Sequence, residues 1–436
     1  MRSDSSFALE EYTLEQAISH LIDYRGKTPK KTSFGIPLVT AKIVKNGRLE
    51  AYSEFIAEKD YDSWMVRGIP KKGDIVLTVE APLGEVAQLD DTKIALAQRI
   101  VTLRGKEDIL FNSYFLYLLQ SQDMQSQLQS RASGSTVTGI KQSELRKIVL
   151  KLPPLPTQKK IAHILSTLDD KIELNRKINQ TLEEMAQAIF KSWFVDFDPV
   201  HTKLACGNEK ELQQAAKELG ISKEILNLFP NEFEESELGM IPKGWEVKTI
   251  NKILKVNPTY SIKKGTLSKY VELSKLSTSL LSIENYVFRE FAGGGAKFKN
   301  GDTILVRITP SLENGKRAFV DFLDDDEIGW GSTEYIILSA KKEIQEWSYL
   351  LSISDDFRNY AISNMNGSSG RQRVPNDAVK EYKISVPNDK IFTQFSGITN
   401  LLFKNIKSNT EQIRTLQKTR DTLLPKLLNG EIEVEI

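Results

Sequence analysis

The sequence predicts a mixed α+β fold: two globular α/β domains joined by two long helices that pair as an antiparallel coiled coil, with a pseudo-twofold internal repeat. Three observations carry this expectation. The second half of the 436-residue chain answers the first when the sequence is slid by 234 positions, so that Pro153 meets Pro387. Each copy ends in a long run of apolar residues at heptad spacing. Both runs carry an asparagine at the same place in the apolar seam, Asn175 and Asn409.

The expected domains follow in order: a globular part over 1–152, a helix over 153–195, a linker with a short helix over 196–240, a second globular part over 241–386 and a second helix over 387–436. The globular parts read as mixed α/β because short β-rich runs ("DIVLTV", "RIVTL", "DTILVRI", "EYIILS") alternate with Gly, Pro and Asn punctuation. In the first half, "NSYFLYLLQSQDMQSQLQSRA" reads as one amphipathic helix before a Gly/Ser loop. Two further pairs follow the order of the repeat: "KKGDIVLT" (71–78) with "KNGDTILV" (299–306), and "SGSTVTGI" (133–140) with "GSSGRQRV" (367–374). In the linker, "EKELQQAAKELG" is a polar helix that stops at Gly220.

In the first helix Ile161, Leu168, Asn175, Leu182 and Ile189 fall at steps of seven, with Leu165, Ile172, Asn179, Ala186 and Trp193 as the companion row. The second helix gives Phe395, Leu402, Asn409, Leu416 and Leu423, with Ile406, Ile413 and Leu427 beside them. Pro156 is read as preceding the first helix, and Pro425 and Gly430 as closing the second. From Thr157 to Phe194 the rise is about 57 Å, longer than one domain of ordinary size needs. Packing of each helix on its own globular part is the alternative. The shared register and the matched asparagines favour pairing, with Asn175 and Asn409 fixing register at some loss of stability.

Composition excludes several classes. Forty per cent hydrophobic and 27% charged residues are ordinary for a soluble globular protein. No apolar run is long enough to span a membrane, the N-terminus lacks a signal-peptide core, and the single cysteine, Cys206, excludes an internal disulfide framework. These features predict a cytoplasmic protein.

The net charge is only +1, so any positive surface must be local. Two acid-free windows provide it. Arg25, Lys27, Lys30, Lys31, Lys42, Lys45 and Arg48 lie between Asp23 and Glu50; Lys248, Lys252, Lys255, Lys263, Lys264 and Lys269 lie between Glu246 and Glu272. Arg358, Arg371 and Arg373 flank "NGSSG" in the second half, and Arg131 and Lys141 flank "ASGSTVTG" in the first. Basic side chains among Gly, Ser and Thr suit DNA phosphates and close backbone approach. One such window alone would read as a solvated loop; two at matching places in a repeat point to double-stranded DNA.

No catalytic or metal constellation is expected. His20, His163 and His201 lack ligand spacing, and "GGG" at 293–295 opens no phosphate-binding helix. "NPTY" (257–260) resembles a DNA amino-methyltransferase motif but departs at its third residue and has no glycine-rich cofactor site beside it. "PND…EYK" (375–383) resembles a nuclease motif with its Pro-Asp pair interrupted.

Over essentially its whole length the chain resembles the DNA-specificity subunit of Type I restriction–modification systems. The resemblance is strongest in "LPPLPTQKKIAHILSTLDDKIELNRKINQTLEEMAQAIFKSWFVDFDPV", "FEESELGMIPKGWEV" and "RDTLLPKLLNGEIEV", with "DYRGKTPKKTSFGIPLVTAK" and "SGSTVTGIKQSEL" in support. It implies a non-catalytic subunit with two target-recognition domains, each reading half of a split site, and helical regions acting as spacer and subunit dock. It also implies two methyltransferase subunits and restriction/translocase subunits as partners. S-adenosylmethionine, ATP and Mg are expected on those partners and no cofactor on this chain. A helical rod of about 57 Å matches about 17 base pairs at ~3.4 Å each. A coiled-coil scaffold without a DNA role, and a standalone methyltransferase or nuclease, are the alternatives.

Overall fold

The computed structural model describes residues 7–90, 92–134, 138–368 and 370–435. The chain divides into two compact units: one runs to Lys171 and takes in the residues from Leu416 onward, and the other is Ile172–Thr415.

The first unit is built on two four-stranded sheets. Its strands are β1 (Ile18–Asp23), β2 (Lys31–Thr32), β3 (Ile36–Val39), β4 (Phe55–Ile56), β5 (Ile75–Val79), β6 (Leu83–Gln88), β7 (Ala95–Leu96) and β8 (Ile100–Gly105). One sheet has the order β1-β8-β5-β6 and the other β7-β3-β4-β2. All five residues of β5, "IVLTV", are buried, which is why it reads as a continuous β-branched run rather than an alternating one.

Two helices follow, α1 (Asn112–Gln120) and α2 (Gln122–Ser130), where one was expected. Ser121 makes the break. Its backbone is extended (φ −65°, ψ 150°), and its hydroxyl accepts from the Met124 N–H, so it closes one helix and caps the next. The long helix α3 spans Leu155–Phe194, with Pro156 inside its first turn, where the missing N–H has no helical partner to lose. Ile161, Ala162 and Leu165 of α3 join Leu427 and Leu428 of the C-terminal helix in the core of this unit. Asp169 receives Arg420 Nη1 at 2.7 Å and the Tyr117 hydroxyl at 2.8 Å.

The second unit repeats this plan. Its strands are β9 (Lys255–Val256), β10 (Leu267–Val271), β11 (Val287–Glu290), β12 (Ala296–Phe298), β13 (Thr303–Val306), β14 (Arg317–Phe319), β15 (Gly329–Gly331) and β16 (Tyr335–Ser339). The sheets are β9-β16-β13-β14 and β11-β10-β15-β12. In both halves the central strand of the second sheet (β3, β10) has one parallel and one antiparallel neighbour. Helices α4 (Gln345–Ile353) and α5 (Asp355–Ser363) break at Ser354, which caps Phe357 N–H as Ser121 caps Met124. Between the halves lie the helices Asp198–Ala205, Glu209–Glu218 and Lys223–Asn227 and a hairpin of Phe233–Ser236 with Gly239–Pro242. Gly220 ends the middle helix in a left-handed turn (φ 70°), with Ile221 N–H bonded back to Ala216 O.

The second long helix, α6, spans Asp389–Leu428 and contains Pro425 in its last turn instead of ending before it. Within the second unit α3 and α6 run antiparallel, since Asn175 reaches Gln412 while Asn179 reaches Ile406 O, Thr410 and Asn409. The end of this pairing is anchored by rings: Phe194 stands edge-on to Phe395 at 4.9 Å and stacks on Phe392 at 5.9 Å, with Trp193, Trp245 and Trp347 around them. The fold is thus mixed α+β, two globular parts with one internal repeat and two long antiparallel helices.

The seam asparagines do not bond to each other. Asn175 is buried and donates to Gln412 Oε1 at 3.2 Å, whereas Asn409 donates to Asn179 Oδ1 at 2.9 Å. The amide with the largest set of partners is Asn179, one turn further along α3.

Candidate nucleic-acid interface

In each half the strand that centres the first sheet ends in an X-Pro turn with a cis peptide, Ala81–Pro82 after β5 and Thr309–Pro310 after β13. Each strand begins alike: Asp74 Oδ2 accepts Lys71 N–H and Asp302 Oδ2 accepts Lys299 N–H, both at 2.8 Å. A loop leans on each turn. In the first half Ser133 and Gly139 exchange backbone hydrogen bonds, and Ile140 N–H donates to Val79 O at 3.0 Å. In the second, Asn366 and Arg373 make the same exchange, with Val374 N–H donating to Arg307 O at 3.0 Å. A Cβ on Gly139 would lie 3.1 Å from Val79 O, so a glycine suits that approach. Residues 135–137 and 369 of these loops lie outside the described residues.

Beside the first turn is an open cleft of ≈480 Å³, lined by Lys31, Lys42, Lys45, Gln98 and Arg99 with Glu54 as its one acidic wall. Exposed Arg99 and Ala81 both adopt left-handed backbone (φ 72° and 43°), conformations costing about 1–2 kcal/mol per residue and concentrated at functional sites. Arg99 was missed in the sequence because it merely precedes an apolar strand; only the strand register reveals that it fronts the cleft. Glu334 holds its place in the second half, since Val79 N–H bonds Arg99 O and Arg307 N–H bonds Glu334 O, each at 2.9 Å. Glu334 grips Arg373 through two parallel bonds (Nε–Oε2 2.9 Å, Nη2–Oε1 2.6 Å), and that guanidinium holds its carboxyl below the usual range.

The remaining basic candidates divide by how they are engaged. Lys27, Lys30, Lys42, Lys141, Lys263, Lys264 and Arg371 are exposed. Lys31 pairs with Glu54 at 2.8 Å on the surface, Arg131 lies 3.7 Å from Glu144, and Arg48 sits half-buried in the β-turn region of the first half. Arg25 is committed elsewhere: it clamps Asp23 and donates to Ile140 O at 2.8 Å, bracing the base of the loop. Lys269 is a correction. Its side chain is 5% exposed, held by Asp324 at 2.9 Å and Glu327 at 2.8 Å, which leaves no reach to a phosphate. The acid-free window hid this pairing because both carboxylates come from more than fifty residues downstream.

The two motif look-alikes are occupied by the fold. Asn257 bonds Ile337 through both its backbone and its side chain, and the Tyr260 hydroxyl bonds Asp302 at 3.2 Å and Ser339 at 3.1 Å; burial pushes that phenol up to about 12. Asp377 closes on Lys380 at 2.9 Å on the helix Asn376–Glu381.

Residues 22–184 match the family described as Type I restriction modification DNA specificity domain. Over this stretch the chain is similar to the specificity subunits of Type I restriction–modification systems. It is 27% identical to the Type I restriction enzyme MjaIX specificity subunit of Methanocaldococcus jannaschii over 410 residues, 92% of this chain and 87% of the relative. It is likewise 27% identical to the HindI specificity subunit of Haemophilus influenzae, covering 83% and 87%. The solved S subunit of a Type I system from M. genitalium has the same fold, with TM-score 0.51 and 15% identity over 98% of each chain. Among the described residues no helix is long and apolar enough to cross a membrane.

Proposed function

We propose that this specificity subunit reads an asymmetric bipartite DNA site, one half-site per globular part, and docks methyltransferase and restriction subunits. The target-recognition domains are 1–152 and 241–386, the helical spacers 153–195 and 387–436, and the linker 196–240. The observation that carries the reading is a repeated scaffold with opposite chemistry at one position. Arg99 and Glu334 occupy the same backbone site, one offering a guanidinium to solvent, the other a carboxylate that neutralises Arg373. A solvent-facing Arg favours guanine edges, whereas a Glu334 already paired with Arg373 offers no such guanidinium at that position, so two such domains select different bases.

Exposed Lys27, Lys30, Lys42, Lys141, Lys263, Lys264 and Arg371 supply phosphate contacts that set orientation without sequence information. The paired helices set the gap between half-sites. S-adenosylmethionine, ATP and Mg act on the partner subunits, in the cytoplasm.

Long-read methylome sequencing of cells carrying this gene with its methyltransferase partner tests the proposal. The expected result is a split motif with unlike halves and a fixed gap; a contiguous or palindromic motif, or no site-specific modification, overturns it. Arg99→Ala is expected to relax the first half-site by about 1–3 kcal/mol of discrimination at one base pair while leaving the second half-site unchanged.

A further inference from the structure

The segments "KKTSF" (30–34) and "KKGTL" (263–267) occupy one place in the repeat. Two residues after Phe34, Ile36 of β3 pairs with Ile56 of β4; two residues after Leu267, Lys269 of β10 pairs with Phe288 of β11. These are the equivalent strand pairs of the two second sheets. Phe34 is 80% exposed and Leu267 63% exposed. A lone exposed apolar side chain is ordinary. The same exposed apolar position, three residues after a lysine pair, in two halves whose sequences otherwise differ, calls for a common ligand.

Both tips are held stiffly. Thr32 Oγ1 donates to Phe34 O at 2.7 Å, and Gly35 (φ 128°) lies where a Cβ would sit 2.2 Å from Ile56 O, so the chain must turn there on a glycine. In the second half Gly265 N–H donates to Phe291 O at 2.9 Å, Phe291 N–H returns to Thr266 O at 2.8 Å, and Thr266 N–H closes on Lys263 O at 3.1 Å. A stiff apolar tip loses little freedom when it inserts into a ligand.

We propose that Phe34 and Leu267 are apolar wedges, each seated at a base step of duplex DNA, with Lys30, Lys263 and Lys264 on the flanking phosphates. The inference rests on the DNA-recognition reading above and adds a mode of recognition to it, by deformability of the contacted step. Charge favours DNA over a protein partner: neither five-residue segment holds a carboxylate, and Lys30, Lys263 and Lys264 are exposed with no ion-pair partner among the described residues. Apolar wedges of this kind unstack a step and kink the duplex by about 20–90°.

The test uses the full chain assembled with its methyltransferase partner and a duplex carrying the half-sites read from the methylome, end-labelled for energy transfer. Phe34→Ala and Leu267→Ala are expected to lower affinity about tenfold or more and to straighten the DNA. Phe34→Trp is expected to retain both bend and affinity. Unchanged unfolding temperatures show that the exposed substitutions leave the fold alone. Unaltered affinity and bend in both alanine variants overturn the wedges, as does loss of partner assembly with DNA binding intact, which would make the tips protein contacts. Failure of the unsubstituted complex to bind any split site overturns the underlying reading instead.

Discussion

Asp321 has a carboxylate oxygen, Oδ2, that is sealed from solvent without a hydrogen-bond partner. Burial pushes its carboxyl up from 3.8 to about 6, against the opposing pull of Arg414 and Lys407. The folded state therefore binds this proton more tightly than the unfolded one, so its contribution makes stability fall as pH rises from about 4 to about 6. Asp321→Asn is expected to be more stable at pH 7, by on the order of 1–3 kcal/mol, and to lose that slope. Urea unfolding at pH 4.5 and 7 checks it, and an unchanged slope refutes the assignment. The seam amides differ in the same terms. Asn179 donates from Nδ2 to Thr410 and accepts from Asn409 Nδ2 at its Oδ1, whereas Asn175, equally buried, has one bond, to exposed Gln412. Asn179→Ala should cost about 1–3 kcal/mol, and Asn175→Leu should be neutral or stabilising. Equal effects in thermal unfolding would remove the distinction.

At the scale of elements, the serine between paired helices shows what sequence can and cannot reveal. "SQDM" and "SDDF" each carry a capping hydroxyl, yet the apolar period runs on through Ser121 in the first half, so one helix was the natural expectation. Replacing Ser354 by alanine should destabilise the second unit by about 1 kcal/mol without altering its helix content, a difference that chemical denaturation followed by circular dichroism resolves. No change would mean that packing of Phe357 alone sets the break. The long helices, the repeat and the strands β5, β8, β13 and β16 were legible because burial on one face or both writes a period into the sequence. The X-Pro turns, the position of Arg99 and the clamp on Lys269 were not, because they depend on which distant segments become neighbours. Tyr117 reaching Asp169, or Arg176 holding Glu284 at 2.6 Å, leaves no local pattern to read. Among the basic candidates, composition located the charged windows, and only geometry separates exposed Lys30 and Lys263 from committed Arg25 and Lys269.

For the molecule as a whole, the proposed reading makes recognition and spacing separable, because it places them on different residues. Base choice is assigned to loops in the two globular parts, while the gap is assigned to α3 and α6, each 40 residues long and continuous through both compact units. Seven residues complete nearly two turns, so a heptad keeps the apolar seam in register and adds about 10 Å of helix. Because the helices are antiparallel, the insertions must face each other, one after Lys171 and one after Thr415. Such a variant is expected to modify the same two half-sites with a different gap, lengthened by up to about three base pairs at ~3.4 Å each. Five residues inserted at the same points rotate the seam by about 140° and are expected to abolish modification, since the apolar rows no longer meet. Methylome sequencing reads both outcomes. Half-sites that change with the heptad variant would place base recognition in the helices, and a gap that stays fixed would show that the helices do not measure it.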